Sequence, residues 1–271
     1  MANDRVVSPT PGVRRRDHAW ARPLIFLALL VVLWDLIVRL FDIPPYLIPK
    51  PWDVALAFRD EGGRLMLEAI PTTIATLGGF ALSVIFGVGT AMLIAGFKPV
   101  ESYVYPLLVF SQSIPKVAVA PLFVVWFGFG MTPKVISAFL LGFFPVVVAG
   151  VQGFKSIDPD MRDLIRSMKA SRLQTFGMLS FPHALPAIFA GFKVSVTLAV
   201  VGAVVGEFVG SNSGIGYVLQ RSIGNFELPT MFACLVILAL IGCVLFWLVE
   251  VVERRLVPWH ASQRVDVVAT P

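Results

Sequence analysis

Asp158-Pro159-Asp160-Met161-Arg162-Asp163-Leu164-Ile165-Arg166-Ser167-Met168-Lys169-Ala170-Ser171-Arg172-Leu173-Gln174 lies between two long apolar runs, and its reading decides the fold. Asp158 followed by Pro159 is a helix start: a side-chain oxygen caps the first amides, and the proline's missing N–H is not needed at the first helical position. Met161, Leu164, Ile165 and Met168 then fall at i, i+3, i+4 and i+7, giving one apolar stripe. Arg162, Asp163, Arg166 and Lys169 fall off that stripe. Ser171-Arg172-Leu173-Gln174 is a capping-box pattern that opens a second helix, so a turn is expected near Lys169-Ala170. The second helix runs on into Pro182 and Pro186. The stretch is an amphipathic helical hairpin, and the apolar runs around it make the chain an all-α, polytopic membrane protein.

Composition agrees. The 271 residues are 57% hydrophobic and only 14% charged, against about a quarter charged in soluble domains. Mean hydropathy is +0.82. These values exclude a disordered, collagen-like or disulfide-built protein. The net charge of +5 does not indicate a nucleic-acid partner, because the basic residues sit at the ends of apolar runs and not along one face with stacking aromatics. Cys234 and Cys243 share one apolar run and read as small core residues of a membrane helix.

Six transmembrane helices are expected, over 23–40 and roughly 69–96, 104–128, 134–152, 185–208 and 229–252. The first follows Arg14-Arg15-Arg16, but no small-residue cleavage site comes after it, so it reads as an uncleaved span. Run 69–96 is long enough to tilt or to project from the bilayer. The chain thus divides into a basic tail (1–22), a membrane domain (23–256) with the hairpin in loop 153–184, and a second tail (257–271). One set of connections holds fourteen basic residues: Arg5, Arg14, Arg15, Arg16, Arg22, Lys98, Lys155, Arg162, Arg166, Lys169, Arg172, Arg254, Arg255 and Arg264. The other holds five: Lys50, Arg59, Arg64, Lys134 and Arg221. The positive-inside rule makes the richer side cytoplasmic, with both termini and the hairpin on it.

Small residues recur every fourth position in two runs: Ala75, Gly79, Ser83, Gly87, Ala91 and Ala95, then Ala187, Gly191, Ser195, Ala199 and Ala203. Each forms a flat ridge on which another helix backbone approaches closely, which implies a compact bundle. Charges inside spans are costly and single out further candidates. Ser111, Gln112 and Ser113 make a polar break before Pro115 and Lys116, which either lines a pathway or is a packed helix irregularity. Lys193 reads as a snorkelling side chain, and Asp35 with Arg39 as a local i,i+4 pair. Glu207 closes the fifth span, as a gate or outer-mouth contact or as a helix-end carboxylate at the interface.

No G-x-x-x-x-G-K-[ST] occurs, so no P-loop holds ATP phosphates here. His18, His183 and His260 are scattered, and no nucleophile or paired-carboxylate constellation stands out. No catalytic or metal-binding residue is expected, and no cofactor on this chain. Gly210-Ser211-Asn212-Ser213-Gly214-Ile215-Gly216 is glycine-rich but follows the fifth span on the outer side. It suits a turn that docks an external partner or closes the outer mouth. The hairpin itself suits either the bilayer surface or a groove on a soluble partner.

Asp163-Leu164-Ile165-Arg166-Ser167-Met168-Lys169-Ala170-Ser171, with Phe176, Pro182 and Pro186-Ala187-Ile188-Phe189-Ala190-Gly191, resembles the EAA loop of ATP-binding-cassette importer permeases. Ser111-Gln112-Ser113-Ile114-Pro115-Lys116, Pro121-Leu122-Phe123-Val124-Val125-Trp126-Phe127-Gly128, Gly206-Glu207-Phe208 and Gly214-Ile215-Gly216-Tyr217 extend the resemblance toward the nitrate, sulfonate, taurine and vitamin-precursor branch. It implies a type I importer permease bundle in the inner membrane, paired with a second copy of itself. ABC ATPase subunits would carry ATP and Mg, and an extracytoplasmic binding protein would deliver the solute. Asp163, Leu164, Ile165, Arg166, Met168, Lys169, Ala170 and Ser171 would then contact the ATPase. Asp163 stands where the family has Glu, Leu164-Ile165 where it has Ala-Ala, and Lys169 where it has Gly. A lysine there either changes the turn or reaches an acidic group on the ATPase. The 206–217 stretch is closer to permeases for flavin or pyrimidine vitamin precursors than to those for sulfonates, taurine or nitrate. The residues also leave an ion-coupled secondary transporter as a rival, although no internal repeat stands out and Asp35 is the one carboxylate read as mid-membrane.

Overall fold

The computed structural model describes residues 21–259, with the side chains of 21–23, 166 and 172 outside that description. His18 and His260, and all but the innermost residues of both tails, therefore lie outside it. The described residues form helices α1 (Ala21–Leu40), α2 (Pro51–Gly96), α3 (Lys98–Gln112), α4 (Lys116–Phe127), α5 (Met131–Lys155), α6 (Pro159–Ser167), α7 (Arg172–Thr175), α8 (Phe181–Gly210), α9 (Ile215–Gly224) and α10 (Leu228–Leu256). A single π-helical turn, Phe176–Ser180, joins α7 to α8. Pro182 has no N–H for the carbonyl of Met178, and widening that turn accommodates the missing bond. Leu173–Gly210 is thus one 38-residue rod, about 57 Å long.

Four helices among the described residues are long and apolar enough to span a membrane: α2, α5, the Leu173–Gly210 rod and α10. The bent pair α3 and α4 makes a fifth if counted as one span. The expected third span, 104–128, is therefore not one straight helix: its halves meet at 95°. Pro115 disfavours helical backbone at Ile114, and Ser111 Oγ donates to its own helix at Leu108 O (2.7 Å), which competes with the regular ladder. The second run also differs. Its helix begins at Pro51 and not near residue 69, because Pro51 takes the first helical position and Asp53 accepts the Lys50 N–H (3.2 Å). α1 is a continuous 20-residue helix whose side chains Leu24 to Val32 are exposed, and Asp35 pairs with Arg39 at 2.7 Å as expected.

α5 lies between α2 and α8 and packs along both. The two small-residue ridges are the reason it fits. Ala75, Gly79, Ser83, Gly87 and Ala91 are buried on α2, and Gly191, Ser195, Ala199 and Ala203 on α8. α5 answers with Ala138, Gly142 and Gly150. Where α8 crosses α5, a Cβ on Gly202 would lie 2.5 Å from Ser137 O and 2.6 Å from Ala138 Cα. Backbone cannot yield there, so Gly202→Ala is expected to cost about 1–3 kcal/mol of stability, read as a lowered midpoint of thermal unfolding in detergent.

Two side chains differ from the sequence reading. Lys193 does not simply snorkel: its Nζ pairs with Glu253 Oε2 at 2.5 Å and so ties α8 to α10. Cys234 is buried as expected, but Cys243 is exposed on the same helix.

Candidate functional site

The hairpin folds as its caps dictate. Asp158 Oδ1 accepts the Asp160 N–H at 2.9 Å, and Ser171 and Gln174 bond reciprocally: Ser171 N–H to Gln174 Oε1 at 2.8 Å, Gln174 N–H to Ser171 Oγ at 3.3 Å. Between them Lys169 takes φ +56°, the left-handed conformation that a glycine adopts without cost. The turn is therefore kept, and the lysine bears the strain. Lys169→Gly is expected to stabilise the hairpin by about 1 kcal/mol, read as slower amide exchange over residues 159–167.

Met161, Leu164 and Met168 are all more than half exposed, and Leu173 and Met178 extend the apolar surface along the second arm. Ile165 and Ala170 are half-buried, Asp163, Lys169 and Ser171 are exposed, and the Arg166 side chain lies outside the described residues. The second arm is held to the bundle by Phe176, whose ring stacks on Phe154 of α5 (centroids 5.9 Å) and leans on Phe181 (6.0 Å). Lys155 reaches Glu101 at 2.5 Å, binding α5 to the start of α3 beside it. A cleft of about 520 Å³ remains between hairpin and bundle, lined in part by Met92, Phe154, Arg162 and Phe176. The hairpin is thus a capped, anchored platform whose Met161, Leu164 and Met168 stay more than half exposed, with Ile165 of the same stripe half-buried.

The candidates from the third and fifth runs do not come together. Ser111, Gln112, Ser113 and Lys116 sit at the 95° bend, with Gln112 and Ser113 exposed and Lys116 Nζ 4.3 Å above the Phe144 ring. Glu207 is elsewhere, against Lys134, about 15 Å along α5 from Phe144. It is fully buried and so is not a carboxylate at the interface.

Glu207 organises the bundle end opposite the hairpin. Thr72 Oγ1 of α2 donates to its carboxylate (2.8 Å to Oε1), as does the Gly216 N–H (2.7 Å to Oε2). Lys134 Nζ of α5 lies 3.5 Å from Oε1 and donates to Ser213 O (2.7 Å) and Ser213 Oγ (3.3 Å). The Ile215 N–H donates back to Thr72 Oγ1 (2.9 Å), and the Gly214 N–H to Glu68 Oε2 (2.6 Å). Lys134 lies in the first turn of α5 and Glu207 in the last of α8, so each opposes its own helix dipole. Their pairing offsets that, and the amides opening α9 favour the carboxylate. Gly214 has φ +107°, and a Cβ there would collide with the Glu207 carboxylate. The sequence singles out Glu207 and the 210–216 turn, Ser213 included, but not Thr72, Glu68 or Lys134 as their partners. The one available signal was Lys134 itself, a lone charge in an apolar run.

Residues 83–258 match the model of the family described as binding-protein-dependent transport system inner membrane component. The chain belongs to that family. It is similar to the formylaminopyrimidine transport permease protein ThiX of Halalkalibacterium halodurans, with 37% identity covering 92% of this chain and 100% of the relative. It is also similar to the riboflavin transport system permease protein RibX of Chloroflexus aurantiacus, with 38% identity covering 88% and 90%. Among solved structures, an inward-facing MetNI methionine ABC transporter chain superposes with a TM-score of 0.63 at 16% identity, covering 71% of this chain and 95% of that one, a likeness of fold alone. As an ABC importer permease the chain is a multi-pass inner-membrane translocation subunit, and a partner ATPase hydrolyses the ATP.

Proposed function

We propose that two copies of this permease, with two copies of the ATPase, import a vitamin or vitamin precursor of the riboflavin or pyrimidine type handed over by an extracytoplasmic binding protein. The uncovered stripe of Met161, Leu164 and Met168 carries the coupling part of this reading: a capped hairpin with an apolar face suits a groove on a soluble partner. The site residues toward the ATPase are Asp163, Leu164, Ile165, Arg166, Met168, Lys169, Ala170 and Ser171, with Lys169 presented by the strained turn to an acidic group. ATP binding closes the ATPase pair and draws the two hairpins together. Each hairpin is continuous with the Leu173–Gly210 rod, so its movement rocks the bundle and opens the path outward. Release of ADP and phosphate returns it inward, a two-state alternation biased by ligands. The pathway residues are Ser111, Gln112, Ser113 and Lys116 at the bend, since polar groups at membrane depth, Gln112 and Ser113 among them exposed, need water or protein beside them.

The substrate class rests on the two vitamin-related relatives, and sulfonate or taurine transport by the same machinery is the alternative. In this reading α1 is a sixth span and both termini are cytoplasmic. In proteoliposomes, labelled vitamin or precursor is expected to accumulate only with ATP on the hairpin side and loaded binding protein on the other. Uptake abolished by an ionophore at constant ATP would favour an ion-coupled carrier, and uptake unchanged after deletion of 161–172 would overturn the coupling role.

A further inference from the structure

We infer that Glu207 is a positioning residue: through Thr72, Lys134 and Ser213 it welds α9 to the middle of α2 and to the ends of α5 and α8 away from the hairpin, so that these segments move as one rigid body during transport. Three features carry this. The knot joins four separate stretches of chain, and its centre is sealed, with Thr72, Lys134 and Glu207 each at most 2% exposed, while Glu68 and Ser213 at its rim are half-buried. Its bonds run through backbone amides of Gly214, Ile215 and Gly216 as well as side chains, which fixes the start of α9 and not merely a rotamer. And Glu207 lies on the same unbroken rod that begins in the hairpin at Leu173. A displacement of the hairpin's second arm therefore reaches the knot, and through it α9, without crossing a loop, provided the knot holds. If it were a gate that opened in each cycle, a lysine and a carboxylate that are both buried would lose each other's counter-charge, which is costly. Within a bundle that alternates between two arrangements, hydrogen-bond networks and rigid helices carry the displacement from one end to the other.

The inference rests on the coupling reading, and its test separates the two. Spin labels are placed at Met66→Cys on α2 and Ile223→Cys on α9, both about half exposed, in a Cys243→Ala background diluted with unlabelled chain. The full transporter is measured in nanodiscs without nucleotide and with ATP and vanadate. The Met66–Ile223 distance is expected to stay the same in both states while labels at Leu173→Cys on the two copies move together. A Met66–Ile223 distance that shifts with nucleotide overturns the weld. A Leu173 distance that stays fixed counts against the coupling reading, and the Thr72 variants then decide the weld by themselves. Thr72→Val removes the hydroxyl at nearly constant volume and is expected to broaden the Met66–Ile223 distribution and lower uptake per ATP hydrolysed about fivefold to tenfold, the factor carried by a lost buried hydrogen bond. Thr72→Ser keeps the hydroxyl and is expected to restore both, which a role in packing alone would not do. An unbroadened distribution in Thr72→Val overturns the proposal.

Discussion

Leu164→Asp combined with Met168→Asp is expected to abolish assembly of the permease with its ATPase. Both side chains are largely exposed in the single chain, at 60% and 72%, and both lie on the stripe that the hairpin presents. Fully burying an aliphatic side chain of this size is worth about 1.5–3 kcal/mol. Losing two such contacts removes about 3–6 kcal/mol, which is about two to four decades of affinity before the cost of burying two carboxylates is added. Co-purification and titration of the ATPase against detergent-solubilised permease measure this directly. The bundle should be unaffected, because both residues are largely exposed and neither belongs to a buried apolar cluster, and the thermal unfolding midpoint checks that. ATPase affinity within tenfold of the unsubstituted protein would mean that the hairpin serves another surface, the bilayer being the first to consider.

The second large effect is expected at the opposite end. Lys134→Met and Glu207→Gln each leave one member of a buried ion pair without its counter-charge, and each should cost about 3–5 kcal/mol of stability. The double variant Lys134→Met with Glu207→Gln should recover most of that loss, since a buried pair replaced as a whole is often neutral. Unfolding in mixed micelles, run as a double-mutant cycle, gives the coupling. Additive losses would mean that the 3.5 Å contact contributes little and that Ser213, Thr72 and Gly216 satisfy the two charges separately.

What could be read in the sequence was local or periodic. The Asp158 and Ser171 caps, the stripe between them and the every-fourth-residue ridges all repeat within a helix turn or two, and the structure has each of them. The extension of α2 back to Pro51 was less legible, because 51–68 is a mixed, partly charged stretch whose helicity depends on packing over Leu65 against α9 and α10. The knot was not legible as a knot: Glu207 and the 210–216 turn stand out in the sequence, but nothing there joins them to Thr72, Glu68 or Lys134. Its hydrogen bonds span sequence separations as large as 146 residues, and a contact of that kind leaves no period behind. Lys134 was counted simply as an outer-side charge, and Lys193 was read without Glu253, because a buried ion pair and a solvated charge look alike until the partner helix is placed.

The π-helical turn at Phe176–Ser180 sets the phase between hairpin and bundle. A helix advances about 100° and 1.5 Å per residue, so the single extra residue held in that turn turns everything before it relative to everything after. Removing Gly177, which has open space around its Cβ position, together with Pro182→Ala to restore the missing N–H, would let the rod run as plain α-helix. The apolar stripe would then point about a quarter-turn away from its present direction while every residue composing it stayed in place. If the ATPase docks on this stripe as proposed, the azimuth of its approach is written in one widened turn of helix.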